Sequence, residues 1–425
     1  MSVKIGYYRW RVVMLLFFVT TINYVDRQVL GILAPQLQVL FSWSEADYGF
    51  IIMAFQAAYA IGLISMGALL DKIGTRLGFI ISVALLSIAG MFHAALSSVV
   101  AFAIARFGLG IGASANFPAA IKTVAEWFPK KERAMATGLL NTGSNLGAIL
   151  TPLIVPIIAL KWGWQWAFIS AGALGFVWLF FWIITYRKPE GNKKLSAEEL
   201  NYILQDEKES ETQKLPWKSI ISYKQTWGIC LARFLTDPIW WFFLYWLPKY
   251  LNSNYQIDLT KIGLPLIVIY TVSMGGSVFG GWLSSYLIKR GKNPLAARKL
   301  TIFFMALLVV PVFFTSFISN MWLAVALISM ATFAHQGYAA NIFTIVSDIY
   351  PKNAVGSVTG LAGFSGAIGG VLFSGAVGLI LEITNSYYVV FAIASLAYLL
   401  CWLSLYLLVP NNQKIELIKE NNLQQ

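Results

Sequence analysis

The chain has 425 residues, 58% of them hydrophobic and only 12% charged, with a formal net charge of +12. Soluble domains run near a quarter charged, so this composition, with a mean hydropathy of +0.68, excludes an ordinary soluble protein and points to a membrane one. The alternating pattern of a membrane β-barrel is absent, and backbone groups in lipid must bond internally, so the spans are expected to be helical.

Apolar stretches of about twenty residues, each long enough to cross ~30 Å of hydrocarbon, recur along the chain. Twelve are predicted, at roughly 11–31, 46–70, 77–97, 99–128, 134–160, 164–186, 225–251, 261–288, 299–318, 321–350, 354–382 and 386–409. With the N-terminus inside, 24 of the 31 Lys and Arg fall in cytoplasmic segments, and only Lys161, Lys249 and Lys261 fall outside. This positive-inside asymmetry makes the basic excess topological rather than a nucleic-acid signal. The expectation is a multi-pass membrane protein, in contact with lipid and with both termini cytoplasmic. No cleavage pattern follows the first apolar run, so it is read as a span. Cys230 and Cys401 lie far apart in apolar segments, so neither a disulfide nor a metal site is expected, and no cofactor is implied.

In chain order, the first span contains Asn23-Tyr-Val-Asp-Arg-Gln-Val-Leu-Gly31, with Asp26 and Arg27 side by side where an unpaired charge costs ~3 kcal/mol or more. At 1.5 Å per residue, Asp26 lies about 22 Å along span 1, and Arg106 about 10 Å from the outer end of span 4. The two therefore reach similar depth and are expected to pair, leaving Arg27 for an anionic ligand. The alternative is a salt-bridged trio that only fixes helix packing, but two arginines and one aspartate leave a surplus positive charge that a bound carboxylate would cancel. Between spans 2 and 3 stands Gly67-Ala-Leu-Leu-Asp-Lys-Ile-Gly-Thr-Arg76. There Asp71 can face helix N-termini and basic groups, while Gly67 and Gly74 permit a tight turn beside Arg76. Other ionisable residues in spans have plainer readings. His93 is expected to be interfacial. Lys122, Glu126 and Asp348 are expected to snorkel or pair, Arg233 to snorkel inward, and Asp237, before Pro238, to cap a broken span in preference to a role in coupling.

The halves look related. Without gaps, Pro129-Lys130 falls on Pro351-Lys352, Thr137-Gly-Leu139 on Thr359-Gly-Leu361, and Gly147 on Gly369. Six spans plus six in a parallel repeat is the plan of major facilitator transporters, with a central cavity near the midplane, and the Gly67–Arg76 loop resembles that superfamily's signature. The domains expected are a six-helix half over 1–186, a cytoplasmic linker over 187–224 and a second half over 225–425. Ser196 and Glu199 have capping-box spacing, so the linker should hold a short amphipathic helix. Polar residues spread over both halves suggest a wet cavity suited to a polyhydroxylated ligand: Tyr24, Gln56, Tyr59, Asn141, Ser144, Asn145, His335, Gln336, Asn341 and Ser365. Trp240-Trp-Phe-Phe243 reads equally as a sugar-stacking surface or as packing.

Over nearly its whole length the chain resembles bacterial hexuronate transporters of the anion:cation symporter family, together with D-galactonate transporters. The resemblance is carried by Asn23–Gly31, by Arg106–Gly138 and by Phe234–Leu251. It implies an all-α protein of twelve helices in two six-helix halves that takes up a sugar acid with protons and works as a monomer. It further implies that Asp26 is a protonation site, that Arg27 binds the substrate carboxylate, that Arg106 interacts with either, that Tyr24 and Tyr59 shape the pocket, and that the Gly67–Arg76 loop is a latch. One position departs from the family pattern. Ala113 stands where relatives carry a glutamate that acts as a second coupling acid. Either the natural protein lacks that acid, or a Glu-to-Ala change was made; the intact surroundings favour the second. A drug antiporter would prefer acidic cavities, an enzyme would need a nucleophile–base pair or metal ligands around His93 or His335, and a non-transporting sensor is separable only by flux.

Overall fold

A computed structural model describes residues 6–205 and 217–411, which are almost entirely helical. The helices are α1 (Tyr8–Phe41), α2 (Glu45–Phe92), α3 (Val99–Ser114), α4 (Asn116–Trp127), α5 (Lys130–Trp162), α6 (Trp164–Thr185), α7 (Ala197–Leu204), α8 (Trp217–Ile221), α9 (Lys224–Tyr245), α10 (Leu247–Tyr255), α11 (Gly263–Lys289), α12 (Pro294–Val309), α13 (Met321–Ile349), α14 (Lys352–Thr384) and α15 (Tyr388–Leu408). They form two compact units, one of Met1–Glu211 with Ile257–Ile267, the other of Thr212–Gln256 with Val268–Gln425. Large apolar side chains such as Phe18, Ile64, Phe180 and Phe181 face outward, as lipid-facing helices require.

Among the described residues, eleven segments are long and apolar enough to cross a membrane. The remaining expected span corresponds to α9 and α10, where Arg233 and Asp237 lower the apolarity and Pro248 begins the second piece. Spans 2 and 3 form one helical run broken only at Gly74, whose φ of 77° and ψ of 166° give the turn that a glycine permits.

In the first unit, α2 starts on a full capping box between Ser44 and Asp47. Tyr7, at the start of α1, supplies no side-chain cap. The linker helix does so instead. Ser196 caps α7 by accepting from the Glu199 backbone N–H at 3.2 Å. The Glu199 carboxylate, rather than closing the box, accepts from the Tyr8 N–H at 3.2 Å and the Arg9 N–H at 3.1 Å. Arg9 bridges the same Glu199 to Glu132 at the start of α5, and Tyr202 donates to Glu132 at 2.7 Å. Thus α7 is a strap on the first unit.

The repeat is visible in the packing of each unit. Helices α5 and α14 have 33 residues each and start after Pro129 and Pro351, at ψ 153° in both. A Cβ on Gly147 would stand 2.6 Å from the Thr21 carbonyl oxygen and 2.7 Å from Tyr24 Cβ. In the second unit a Cβ on Gly369 would stand 2.4 Å from the Phe234 carbonyl oxygen and 2.9 Å from Pro238 Cγ. Phe234 therefore holds the place of Thr21, and three residues on, Asp237 holds the place of Tyr24. The same register sets Pro248 against Pro35.

Candidate functional site

In the first unit, helices α1, α2 and α3 bring the charged residues together. Close approach of α2 and α3 is set by glycine, since a Cβ on Gly110 would stand 2.5 Å from the Phe55 carbonyl oxygen and 2.8 Å from Ala58 Cβ. This presents Phe55 and Tyr59, four residues apart on one face of α2, to α1. The Arg27 guanidinium lies 4.5 Å from the Tyr59 ring centroid, 5.2 Å from that of Tyr24 and 5.5 Å from that of Phe55. Three ring faces thus frame one cation, an arrangement worth about 0.5–2 kcal/mol per desolvated contact. Arg106, wholly buried, donates through Nη1 to the Arg27 carbonyl oxygen at 3.2 Å and lies 5.9 Å from the Phe55 ring. The expected Asp26–Arg106 pair is not closed as a direct ion pair among the described residues, although Arg106 is near enough for its charge to act on Asp26. Asp26 is 3% exposed, and its Oδ2 is buried with no hydrogen-bond partner among the described residues. Gly90 leaves room for it, a Cβ there standing 3.2 Å from Asp26 Oδ1.

Buried polar atoms surround this centre. Both amide atoms of Gln56 and of Gln28 are buried without partners among the described residues, as are the Asn23 and Asn141 side-chain oxygens. Each such atom costs about 1–3 kcal/mol, which a polar ligand or water would recover. Asn23 donates to the Ala113 carbonyl oxygen at 3.4 Å, and Ala113 is fully buried. On α5, Ser144 donates to the Asn141 carbonyl oxygen at 2.7 Å, while Asn145 is half-buried. His93, at the end of α2, is completely enclosed and stacked on Phe168 at 5.0 Å. Phe55 and Asn23 were not among the residues expected from sequence, since an aromatic in an apolar run carries no sign of which face it occupies.

The loop residues act within the same unit. Asp71 pairs with Lys122 at 2.8 Å, and Arg76 donates to the Ile183 carbonyl oxygen at 2.9 Å, while Gly67 is half-buried and Gly74 makes the turn. Glu126 accepts from Thr75 and Tyr186 at 2.9 and 2.6 Å.

In the second unit, the His335 imidazole shares a hydrogen bond with Tyr398 at 2.6 Å and stacks on Trp240 at 4.9 Å. Asn341 donates to the Gly280 and Gly337 carbonyl oxygens at 3.0 and 2.9 Å, tying α11 to α13. Ser365 donates to the Cys230 carbonyl oxygen at 2.9 Å, tying α14 to α9, and Gln336 is half-buried. Arg233 and Asp237 depart from expectation. Arg233 turns to Asp237 at 2.6 Å instead of snorkelling, and α9 runs on through Pro238 to Tyr245, so Asp237 caps nothing.

A family model described as the Major Facilitator Superfamily matches residues 16–374. The chain belongs to that superfamily. Over 425 residues it is 31% identical to the hexuronate transporter of Escherichia coli (strain K12), covering 99% of this chain and 98% of that one. It is 33% identical to the galacturonate transporter of Dickeya chrysanthemi over 72% of this chain and 90% of the relative. The probable galactarate/D-glucarate transporter GarP of Escherichia coli (strain K12) is 29% identical over 97% of both. Among solved structures, a D-xylose–proton symporter superposes with a TM-score of 0.74 at 18% identity, over 97% of this chain and 100% of that one. An inward-facing, unoccupied bacterial homolog of the human lysosomal transporter Spinster gives 0.72 at 17%, over 93% and 97%. At such identities the likeness is one of fold. This member of the Major Facilitator Superfamily is a multi-pass membrane transporter rather than an enzyme, and its relatives are sugar-acid transporters.

Proposed function

We propose that the protein takes up a sugar-acid anion, most specifically a hexuronate, together with protons by alternating access across a bacterial inner membrane. The observation that carries this reading is the Arg27 guanidinium framed by Tyr24, Phe55 and Tyr59 beside the buried Asp26 and Arg106. Two guanidinium groups and one carboxylate in a low-dielectric site favour an incoming carboxylate, and a planar guanidinium suits it bidentately. Ring faces and unpartnered amides such as Gln56 suit a polyhydroxylated body. Asp26 takes up a proton, the anion binds Arg27, and the two opposite charges cancel each other so that proton and anion cross together, with Arg106 steadying Asp26. The names of the most similar relatives support a hexuronate, and those of others keep an aldarate or aldonate as the second reading. The working form is a monomer with both termini cytoplasmic.

The test is a binding screen of glucuronate, galacturonate, galactonate, gluconate and sialate by thermal shift, with flux in proteoliposomes. Arg27→Ala is expected to abolish binding; retained affinity removes Arg27 from the site. Counterflow without a pH gradient is expected in the chain as it stands, whereas Ala113→Glu should raise accumulation driven by a pH gradient. Equal accumulation by both removes position 113 from coupling.

A further inference from the structure

The second unit contains a half-buried ion pair that the proposed site does not use. Arg233 donates to Asp237 Oδ2 through Nε at 2.9 Å and Nη2 at 2.6 Å. The two side chains are 17% and 14% exposed. The guanidinium lies 4.8 Å from the Phe343 ring, and a Cβ on Gly366 would stand 2.1 Å from Asp237 Oδ2, so α14 admits this carboxylate only because it has glycine there.

A packing role explains the pair poorly. Both partners belong to α9, four residues apart, so their bond ties no two helices together. An i,i+4 pair adds about 0.2–0.5 kcal/mol to a helix, whereas burying two ions costs several kcal/mol each. The pair also occupies a telling place, since Asp237 stands where the first unit has Tyr24, one of the rings around Arg27. The groups facing Asp237 are Arg233 on its own helix, Tyr338 from α13, and Tyr398 and Cys401 from α15, with His335 of α13 within reach of the Arg233 charge. From α14 it meets the glycine Gly366. No other carboxylate is among these groups, so Asp237 is the member able to take up a proton and lose a negative charge.

We propose that Arg233 and Asp237 form a proton-operated charge switch in the transport cycle, an inference that rests on the proton-coupled reading above. A proton from external water adds to the Asp237 carboxylate. An O–H bond forms, and the two bonds from Arg233 lose their charged acceptor. The pair passes from net zero to +1. Loss of the proton to the cytoplasm restores the ion pair, so this switch carries one proton per turn in addition to the one on Asp26.

Asp237→Asn in the full chain, reconstituted in proteoliposomes, tests this with glucuronate and galacturonate. Counterflow at equal pH is expected to stay within about twofold of wild type. Steady-state accumulation should fall about tenfold per unit of pH gradient, the worth of one proton. Unchanged accumulation overturns the switch. The double variant Arg233→Gln/Asp237→Asn removes both charges, so it serves where the single variant fails to fold. It should exchange as the parent chain does while accumulating about tenfold less per unit of pH gradient, and accumulation equal to that of the parent would mean that the pair is dispensable. If neither this chain nor its Ala113→Glu form accumulates sugar acid, the proton-coupled reading fails and the switch with it; accumulation by the parent chain that both variants match sinks the switch alone.

Discussion

Arg27 owes its placement to aromatic faces, and this makes the affinity of the site tunable ring by ring. Tyr59 is the nearest, at 4.5 Å. Tyr59→Leu removes a contact worth about 0.5–2 kcal/mol, so substrate affinity should fall by roughly two- to thirtyfold. Tyr59→Phe keeps the ring and should stay within about threefold; titration of the substrate-induced thermal shift separates the two. An equal loss in both variants would assign the contribution to the hydroxyl. At this scale the charges were legible, because an acid or base in an apolar run has few places to hide. Asp26, Arg27 and Arg106 were singled out on that ground alone. What remained hidden was the neighbourhood. Phe55 looks like any other apolar residue of α2, and the enclosure of His93 is hidden because distance along a helix does not reveal which side of it a partner such as Phe168 covers. Arg233 and Asp237 were read apart, although their four-residue spacing was in plain view, because Pro238 suggested a helix break.

Helices in this molecule meet where glycine removes the side chain. Gly147 has the Thr21 carbonyl and Tyr24 Cβ inside 3 Å of where its own Cβ would be, whereas Gly138, on the same helix, has nothing within 4 Å. Gly147→Ala should therefore lower the melting temperature of the solubilised protein, in line with an overpacking cost of about 1–3 kcal/mol, and weaken substrate binding through Tyr24. Gly138→Ala should be neutral or slightly stabilising, since alanine favours a helix interior. Equal melting temperatures would mean that α1 and α5 are free to part. The helices themselves were readable from apolar length, and the repeat from Pro129 and Pro351. The role of Glu199 was only half readable. The Ser196 spacing announced a helix start, but a carboxylate that reaches a backbone 191 residues away leaves no local trace.

For the whole molecule, the distribution of lysine and arginine predicts an orientation that can be tested directly. Both native cysteines are buried, so an impermeant maleimide should leave the wild-type protein unlabelled in intact cells. Ser253→Cys, at an exposed site beyond α9, should react from outside. Lys193→Cys, also exposed, should react only after permeabilisation. The reverse pattern would invert the topology. Two six-span halves with matched registers are legible because Gly147 and Gly369 keep step with Pro129 and Pro351, whereas the clustering of Ile257–Ile267 with the first unit has no counterpart in composition.

The strap formed by α7 has a consequence for synthesis. The first N–H groups of α1 emerge from the ribosome early, yet their acceptor, Glu199, is made only after all six spans of that half. The earliest turn of the protein is therefore the last of its half to be sealed. Closure of Arg9 over Glu132 and Glu199 then works as a completion mark, one that a nascent chain stopped before residue 196 does not bear.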